Sequence, residues 1–265
     1  MESIIFDDIK EVIKKLCLMN NKFMNKVLDD NVEAAQIMLR VILKNDKIKV
    51  KDVRIQNFIQ NLYGHSAQLD ILAQDENGRY FNVEVQRSDE GAPPKRARFY
   101  SSVLDTYFLQ SGKDYEELPD SYVIFITEND VLNKNAPIYN INRVIDEYSE
   151  KFSDGSHIVY VNSKYQDDTP LGKLMQDFYC TDPEKLHYRE FGQRMKFLKY
   201  TKEGEEKMTD IIELYAENKA KKAEHQKSIE IAKNLLAEGM SIDFIARNAQ
   251  LSVEEVRKLA EKRTA

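Results

Sequence analysis

The sequence predicts an α/β fold, a mixed central sheet flanked by helices, followed by an all-helical extension. Three observations carry this. Two runs of alternating apolar and polar residues flank the Asn77-Gly78 pair, a hairpin signal. A helical pattern then leads into Tyr122-Val123-Ile124-Phe125-Ile126, a continuous apolar run of the kind that forms a strand covered on both faces. Beyond residue 170 the apolar spacing is helical to the end.

Taken in order, residues 9 to 44 read as helical. Val32, Ala35, Ile37, Met38, Leu39, Ile42 and Leu43 recur at three and four, and Asn31 is placed to cap. Residues 45 to 61 read as a polar stretch with short apolar pieces around Val50 and Val53. Ala67, Leu69, Ile71 and Ala73 then alternate with Gln68, Asp70, Leu72 and Gln74. After the turn Asp75-Glu76-Asn77-Gly78, Phe81, Val83 and Val85 share one face, and Tyr80, Asn82, Glu84 and Gln86 the other. Pro93-Pro94 opens a helix from about Lys95 to Gln110, closed by Gly112. A weaker strand or helix covers 137 to 150, and His157 to Val161 reads as a further strand. Strand, strand, helix, strand makes a mixed sheet with a crossover helix.

From 205 to 238 the centre, Glu217 to Lys227, is almost all polar and reads as a solvated helical connector. A helix ends at Gly239, Ser241 caps another, and Ser252-Val253-Glu254-Glu255 is a capping box for a third. The expected division is a core over 1 to 165, a helical elaboration over 166 to 204, and a long helix with a small C-terminal unit over 205 to 265.

Composition narrows the function class. With 32 % charged and 42 % hydrophobic residues the chain reads as globular, and 265 residues can bury a full domain plus an appendage. The net charge of -6 argues against a protein that simply coats DNA, because phosphate binding there needs an overall basic field. It does not argue against an enzyme with acidic residues and a local basic patch. Cys17 and Cys180 lie far apart without a CxxC partner, so a disulfide scaffold is not expected and a reducing cytoplasm is. The first residues are acidic where a signal peptide needs basic ones, and no apolar run spans a bilayer.

The hairpin also carries chemistry. Asp70 sits in its first strand, and Glu84 and Gln86 lie on one face of the second. Adjacent antiparallel strands bring such residues within about 5 Å, where two carboxylates repel unless a cation lies between them. Oxygen ligands suit Mg²⁺ (or Mn²⁺), which polarises a phosphodiester and lowers the pKa of a bound water. By spacing alone the same residues also read as two solvent-facing acids on a half-exposed sheet.

The surrounding residues resemble one family. Gln68 to Ala73, the Asp-Glu-Asn-Gly turn and Phe81 to Gln86 resemble the PD-(D/E)XK nuclease family of transposases, also called the recombination-promoting nuclease family. Lys95-Arg96-Ala97-Arg98-Phe99-Tyr100, Gly112 to Tyr115, Asn31-Val32-Glu33, Met38 to Leu43 and the C-terminal Gly239-Met240-Ser241 and Leu251 to Glu255 extend the likeness over most of the chain. The resemblance implies a restriction-endonuclease-like fold and metal-dependent cleavage of DNA, linked to recombination or mobile elements. It implies that Asp70 and Glu84 bind the metal and that Glu33 is the acid of the early helix. The superfamily's lysine position holds Gln86, which can orient water or phosphate but supplies no charge.

Other residues have weaker assignments. Lys95, Arg96 and Arg98 follow the acids and are candidate contacts to DNA phosphates or a solvated basic face. At helical spacing Lys95 and Arg98 share a side while Arg96 points away. Gln68 shares a face with Asp70 and is a candidate support for it. His65, His157, His187 and His225 show no metal-ligand spacing. The C-terminal unit resembles a helix-turn-helix, with Arg247, Arg257 and Lys258 on it. Its interspersed acids favour a packing or oligomerisation bundle. A homodimer would supply the paired sites that a double-strand break needs. The rival expectation is a catalytically silent nuclease fold that binds DNA or protein through its helical tail.

Overall fold

A computed structural model describes residues 11–59, 66–87 and 92–264, so His65 lies outside the described residues. The chain divides after Met208 into two compact units.

The helical start is not continuous. Residues 11 to 15 form a short helical segment, followed by α1 (Asn21–Leu28) and α2 (Val32–Leu43). Local cap chemistry makes the breaks. The Asn20 side chain accepts from the Phe23 N–H, and Asn31 accepts from Ala34. Asp30 between the helices has φ +53, a left-handed turn conformation that Asp tolerates.

Next comes β1 (Val50–Ile59), in the segment expected to be a polar stretch. Arg54, Gln56 and Phe58 on one face are exposed, and Val53, Ile55 and Asn57 on the other are only half-buried, so neither face is a core face that imposes apolar alternation on the sequence. The hairpin follows as expected, β2 (Ala67–Asp75) and β3 (Tyr80–Gln86), antiparallel and turning through Gly78 at φ +81. The crossover helix α3 (Pro94–Phe108) leads to β4 (Ser121–Thr127), which runs parallel to β3.

The ambiguous stretch near 140 resolves into β5 (Ile138–Ile141) and a separate two-strand ribbon, β6 (Val144–Ile145) with β7 (Glu150–Lys151). Strand β8 (Ser156–Asn162) pairs parallel with β4 and antiparallel with β5. The resulting mixed sheet has the order β1-β2-β3-β4-β8-β5.

Helix α3 covers one face. Its Ala97, Tyr100, Val103 and Leu104 pack with Leu72, Val123, Phe125 and Tyr160. The pleat sends Ile71, Phe81, Val83, Val85, Ile124 and Ile126, all buried, to the opposite face. On α4 (Pro170–Tyr179) and α5 (Arg189–Tyr200), Leu174, Phe178, Phe191 and Met195 are fully buried, as are Phe23 and Met38 of α1 and α2. Lys199 of α5 is buried and donates to the carbonyls of Lys14, Leu16 and Thr181, which fixes the segment entering α1. Burial pushes its pKa down to about 8. The short α6 (Lys202–Glu206) closes the first unit.

The second unit holds α7 (Thr209–Ala237), α8 (Ile242–Ala249) and α9 (Val253–Thr264). Ala232, Ile245, Ala249, Leu251 and Val256 form its small core. Caps fall where the sequence places them. Gly239 has φ +79, Ser241 accepts from Phe244, and Ser252 and Glu255 form a reciprocal box. The described side chains between Glu217 and Lys227 are exposed, as a solvated connector requires.

Candidate active site

The two hairpin acids meet where β2 and β3 part. The ladder between these strands runs from Gln74 and Tyr80 to Ile71 and Val83. Continuing that register sets Asp70 opposite Glu84. The Asp70 N–H donates to Glu84 Oε1 at 3.1 Å, so a side chain takes the place of a ladder carbonyl. Meanwhile β2 stays paired with β1 as far as Ala67. The divergence leaves a notch in the strand pairing, and the two acids lie at it.

Glu84 is 1 % exposed, which removes the reading of two solvent-facing acids. Burial and then the Asp70 charge push its pKa up to about 8. Burial also raises Asp70, against the opposing pull of the Asn21 side chain, Glu84, Arg96 and the Val85 backbone N–H. Two acids close enough to shift each other in this way are short of positive charge.

Helix α3 supplies some of it, from Arg96, the candidate set apart from Lys95 and Arg98 by helical spacing. Arg96 turns inward because it lies one turn before Tyr100 and two before Val103, on the stripe that packs against the sheet. Its Nη2 donates to Glu84 Oε2 at 3.4 Å and its Nη1 to Gln86 Oε1 at 3.3 Å. Tyr100 Oη accepts from Nε at 3.3 Å and from Nη2 at 3.0 Å. Lys95 and Arg98, expected to share a side of the helix, are both exposed. Arg98 lines a separate apolar cavity of about 280 Å³ with Pro94, Ile158 and Tyr160.

The remaining candidates make no hydrogen bond or ion pair with the acids among the described residues. Glu33 is exposed in the first turn of α2 and makes no hydrogen bond or ion pair among the described residues. Gln68 is exposed and has no bond to Asp70. The helix that reaches the hairpin is α1, through Asn21. No sequence signal marked Asn21, since its neighbour Asn20 already explains an asparagine at a helix start. Tyr100 was legible in principle, as an aromatic four residues after an arginine.

The donor set suits a hard cation. Asp70 Oδ2 and Asn21 Oδ1 are buried without a hydrogen-bond partner. With Glu84 they form an all-oxygen group that carries excess negative charge, as Mg²⁺ or Mn²⁺ requires. Among the described residues no group of three or more His, Cys, Asp or Glu converges. A cation here would therefore rest on one or two carboxylates plus neutral oxygens.

A family model for the PD-(D/E)XK nuclease family transposases matches residues 28–238. The chain belongs to this family. Its mixed six-strand sheet with flanking helices is the restriction-endonuclease-like α/β fold of PD-(D/E)XK proteins. Membership supports a nuclease-like function, a hydrolase acting on nucleic acid, with DNA as the implied substrate. No curated protein and no solved structure matches the chain. Among the described residues of this PD-(D/E)XK protein, no helix is long and apolar enough to cross a membrane. Its C-terminal α9 opens with Glu254 and Glu255, which puts negative charge at the end that a groove-reading helix would present to DNA.

Proposed function

We propose that this chain is a Mg²⁺- or Mn²⁺-dependent DNA endonuclease, acting in recombination or the movement of mobile elements. The observation that carries the reading is the pair Asp70 and Glu84, facing each other at the parting of β2 and β3, with Asp70 Oδ2 buried and unpartnered. Asp70 and Glu84 would hold the metal, with the Val85 carbonyl and Asn21 Oδ1 as neutral oxygens. When bound, the metal would polarise the phosphodiester and make water a better nucleophile.

The chain's own groups do the rest. Gln86 offers its amide hydrogens to water or a phosphate oxygen while its Oε1 accepts from Arg96. Lys95 and Arg98, exposed on α3, would contact DNA phosphates away from the cleaved bond. Gln68 would meet the same strand at the notch. Glu33 would tune the site through its charge alone. Both cysteines are free, in keeping with a reducing cytoplasm.

The direct test is incubation of plasmid DNA with the purified protein and Mg²⁺ or Mn²⁺, beside Asp70→Asn and Glu84→Gln. Metal-dependent nicking lost in both variants is expected, and nicking that survives both would sink the assignment. Gln86 in place of lysine favours a second reading, a nuclease fold that binds DNA without cutting it. Wild-type protein that binds DNA but neither binds Mn²⁺ nor nicks would establish that reading.

A further inference from the structure

Strand β3 carries no cation beside its catalytic glutamate, because Gln86 stands where the superfamily pattern has lysine. The structure returns a cation to that point from another element. Arg96 of α3 reaches Gln86 and Glu84 together, across a gap of ten and twelve residues in sequence.

How Arg96 is held shows what it is for. Tyr100 Oη takes two of its nitrogens, and its guanidinium carbon lies 5.2 Å from the Tyr100 ring centroid and 5.7 Å from that of Phe125. These contacts fix the plane of the fork from behind. Its bonds forward, at 3.3 and 3.4 Å, are longer than the roughly 2.8 Å of a committed charge-assisted pair. Arg79 and Asp75 show what a committed pair looks like in this protein, at 2.6 and 2.8 Å. The Arg96 side chain also keeps 32 % exposure, so a ligand entering the notch can touch it. Arg96 is anchored by the aromatic pair and aimed at the space between Glu84 and Gln86, and it is not closed on either.

We propose that Arg96 is a catalytic residue of this nuclease, replacing from α3 the lysine absent from β3, and that it contacts the phosphate being cleaved. This rests on the nuclease reading above. In the hydrolysis a water oxygen forms a bond to phosphorus, and one bridging P–O bond breaks with its electron pair leaving on the sugar oxygen. That oxygen gains a proton and the water gives one up to solvent. Arg96 keeps its protons throughout, since guanidinium does not serve as a base near neutrality. It offsets the charge that grows on the non-bridging oxygens. Because its bond occupies Gln86 Oε1, it also leaves the Gln86 amide facing the phosphate as a donor.

The test combines plasmid nicking with Mn²⁺ titration by calorimetry on wild type, Asp70→Asn, Arg96→Gln, Arg96→Lys and the double variant Arg96→Gln/Gln86→Lys. Arg96→Gln should lower the nicking rate by about a hundredfold or more, as loss of a charge-stabilising group does. Its Mn²⁺ affinity should equal or exceed wild type, because a competitor for Glu84 has been removed. A lysine at either position should recover about tenfold or more of the loss. Nicking by Arg96→Gln within about threefold of wild type overturns the proposal. So does a loss that neither lysine recovers, or one accompanied by loss of Mn²⁺ binding, since each assigns Arg96 to architecture. If wild type nicks, Asp70→Asn does not, and Arg96→Gln does, only the role of Arg96 falls. If wild type never nicks, the nuclease reading falls and takes this one with it.

Discussion

The two ends of one hairpin each bury an acid, and they treat it in opposite ways. At the turn end Asp75 is fully buried and fully partnered. Its Oδ1 accepts from the N–H groups of Asn77 and Arg79, and its Oδ2 from the Arg79 guanidinium. At the open end Asp70 keeps a buried oxygen without a partner, and Glu84 is pushed toward its neutral form. An acid that serves the fold is satisfied by the fold. An acid left short of partners, where strands diverge, is available to something the chain does not itself contain.

Paired substitutions at the two ends test that contrast most strongly. Asp70→Asn should cost at least about a hundredfold in cleavage, with melting temperature unchanged or raised, because it removes an uncompensated buried charge. Asp75→Asn should do the reverse. Leaving Arg79 without its carboxylate should cost about 3 kcal/mol or more in denaturant unfolding, while folded protein still nicks. Equal effects at both ends on both readouts would erase the distinction.

The pH dependence sharpens it. Burial, then Asp70, raises the Glu84 pKa from an ordinary 4.5 to about 8. Between those values the folded chain holds a proton that the unfolded chain lacks, so stability of the metal-free protein should fall as pH rises through that window. A cation must displace the same proton. Mn²⁺ affinity should therefore climb by up to about tenfold per pH unit toward pH 8 and flatten above it. A flat profile by calorimetry would place Glu84 outside the cation site.

Smaller effects follow with distance from the acids. Asn21→Ala, which removes a neutral oxygen and a bond to Asp70, should lower metal affinity or nicking by about tenfold. Glu33→Gln should change nicking by no more than about twofold, as an exposed charge without partners would. A larger loss in Glu33→Gln than in Asn21→Ala would return the early-helix acid to the centre of the site.

The sequence made the hairpin legible because apolar and polar residues alternate on either side of the Asn-Gly turn, even though β3 is buried on both faces and its polar side holds the buried Asn82 and Glu84. It made Asp70 and Glu84 legible for the same reason, since register follows from the turn. Edge strand β1 was hidden because its exposed face holds Phe58 beside Arg54 and Gln56 and its half-buried face holds Asn57 beside Val53 and Ile55, so residue type does not follow the period of burial. Asn31 was legible as a cap, but the break at Asn20 was hidden, because an asparagine caps a helix only where the chain turns and nothing around Asn20 marks a turn. Helical spacing separated Arg96 from Lys95 and Arg98, but it does not say which side of α3 meets the sheet. Tyr100 of α3 and Phe125 of β4 flank the Arg96 guanidinium on that inner side.

Calorimetric titration of the purified protein with Mn²⁺ at pH 8, beside Asp70→Asn, bears most directly on the open end of the hairpin. An acid pair built to hold a cation should bind about one ion per chain with release of a proton, and Asp70→Asn should abolish it. No binding by wild type, or equal binding by the variant, would contradict a metal site at Asp70 and Glu84.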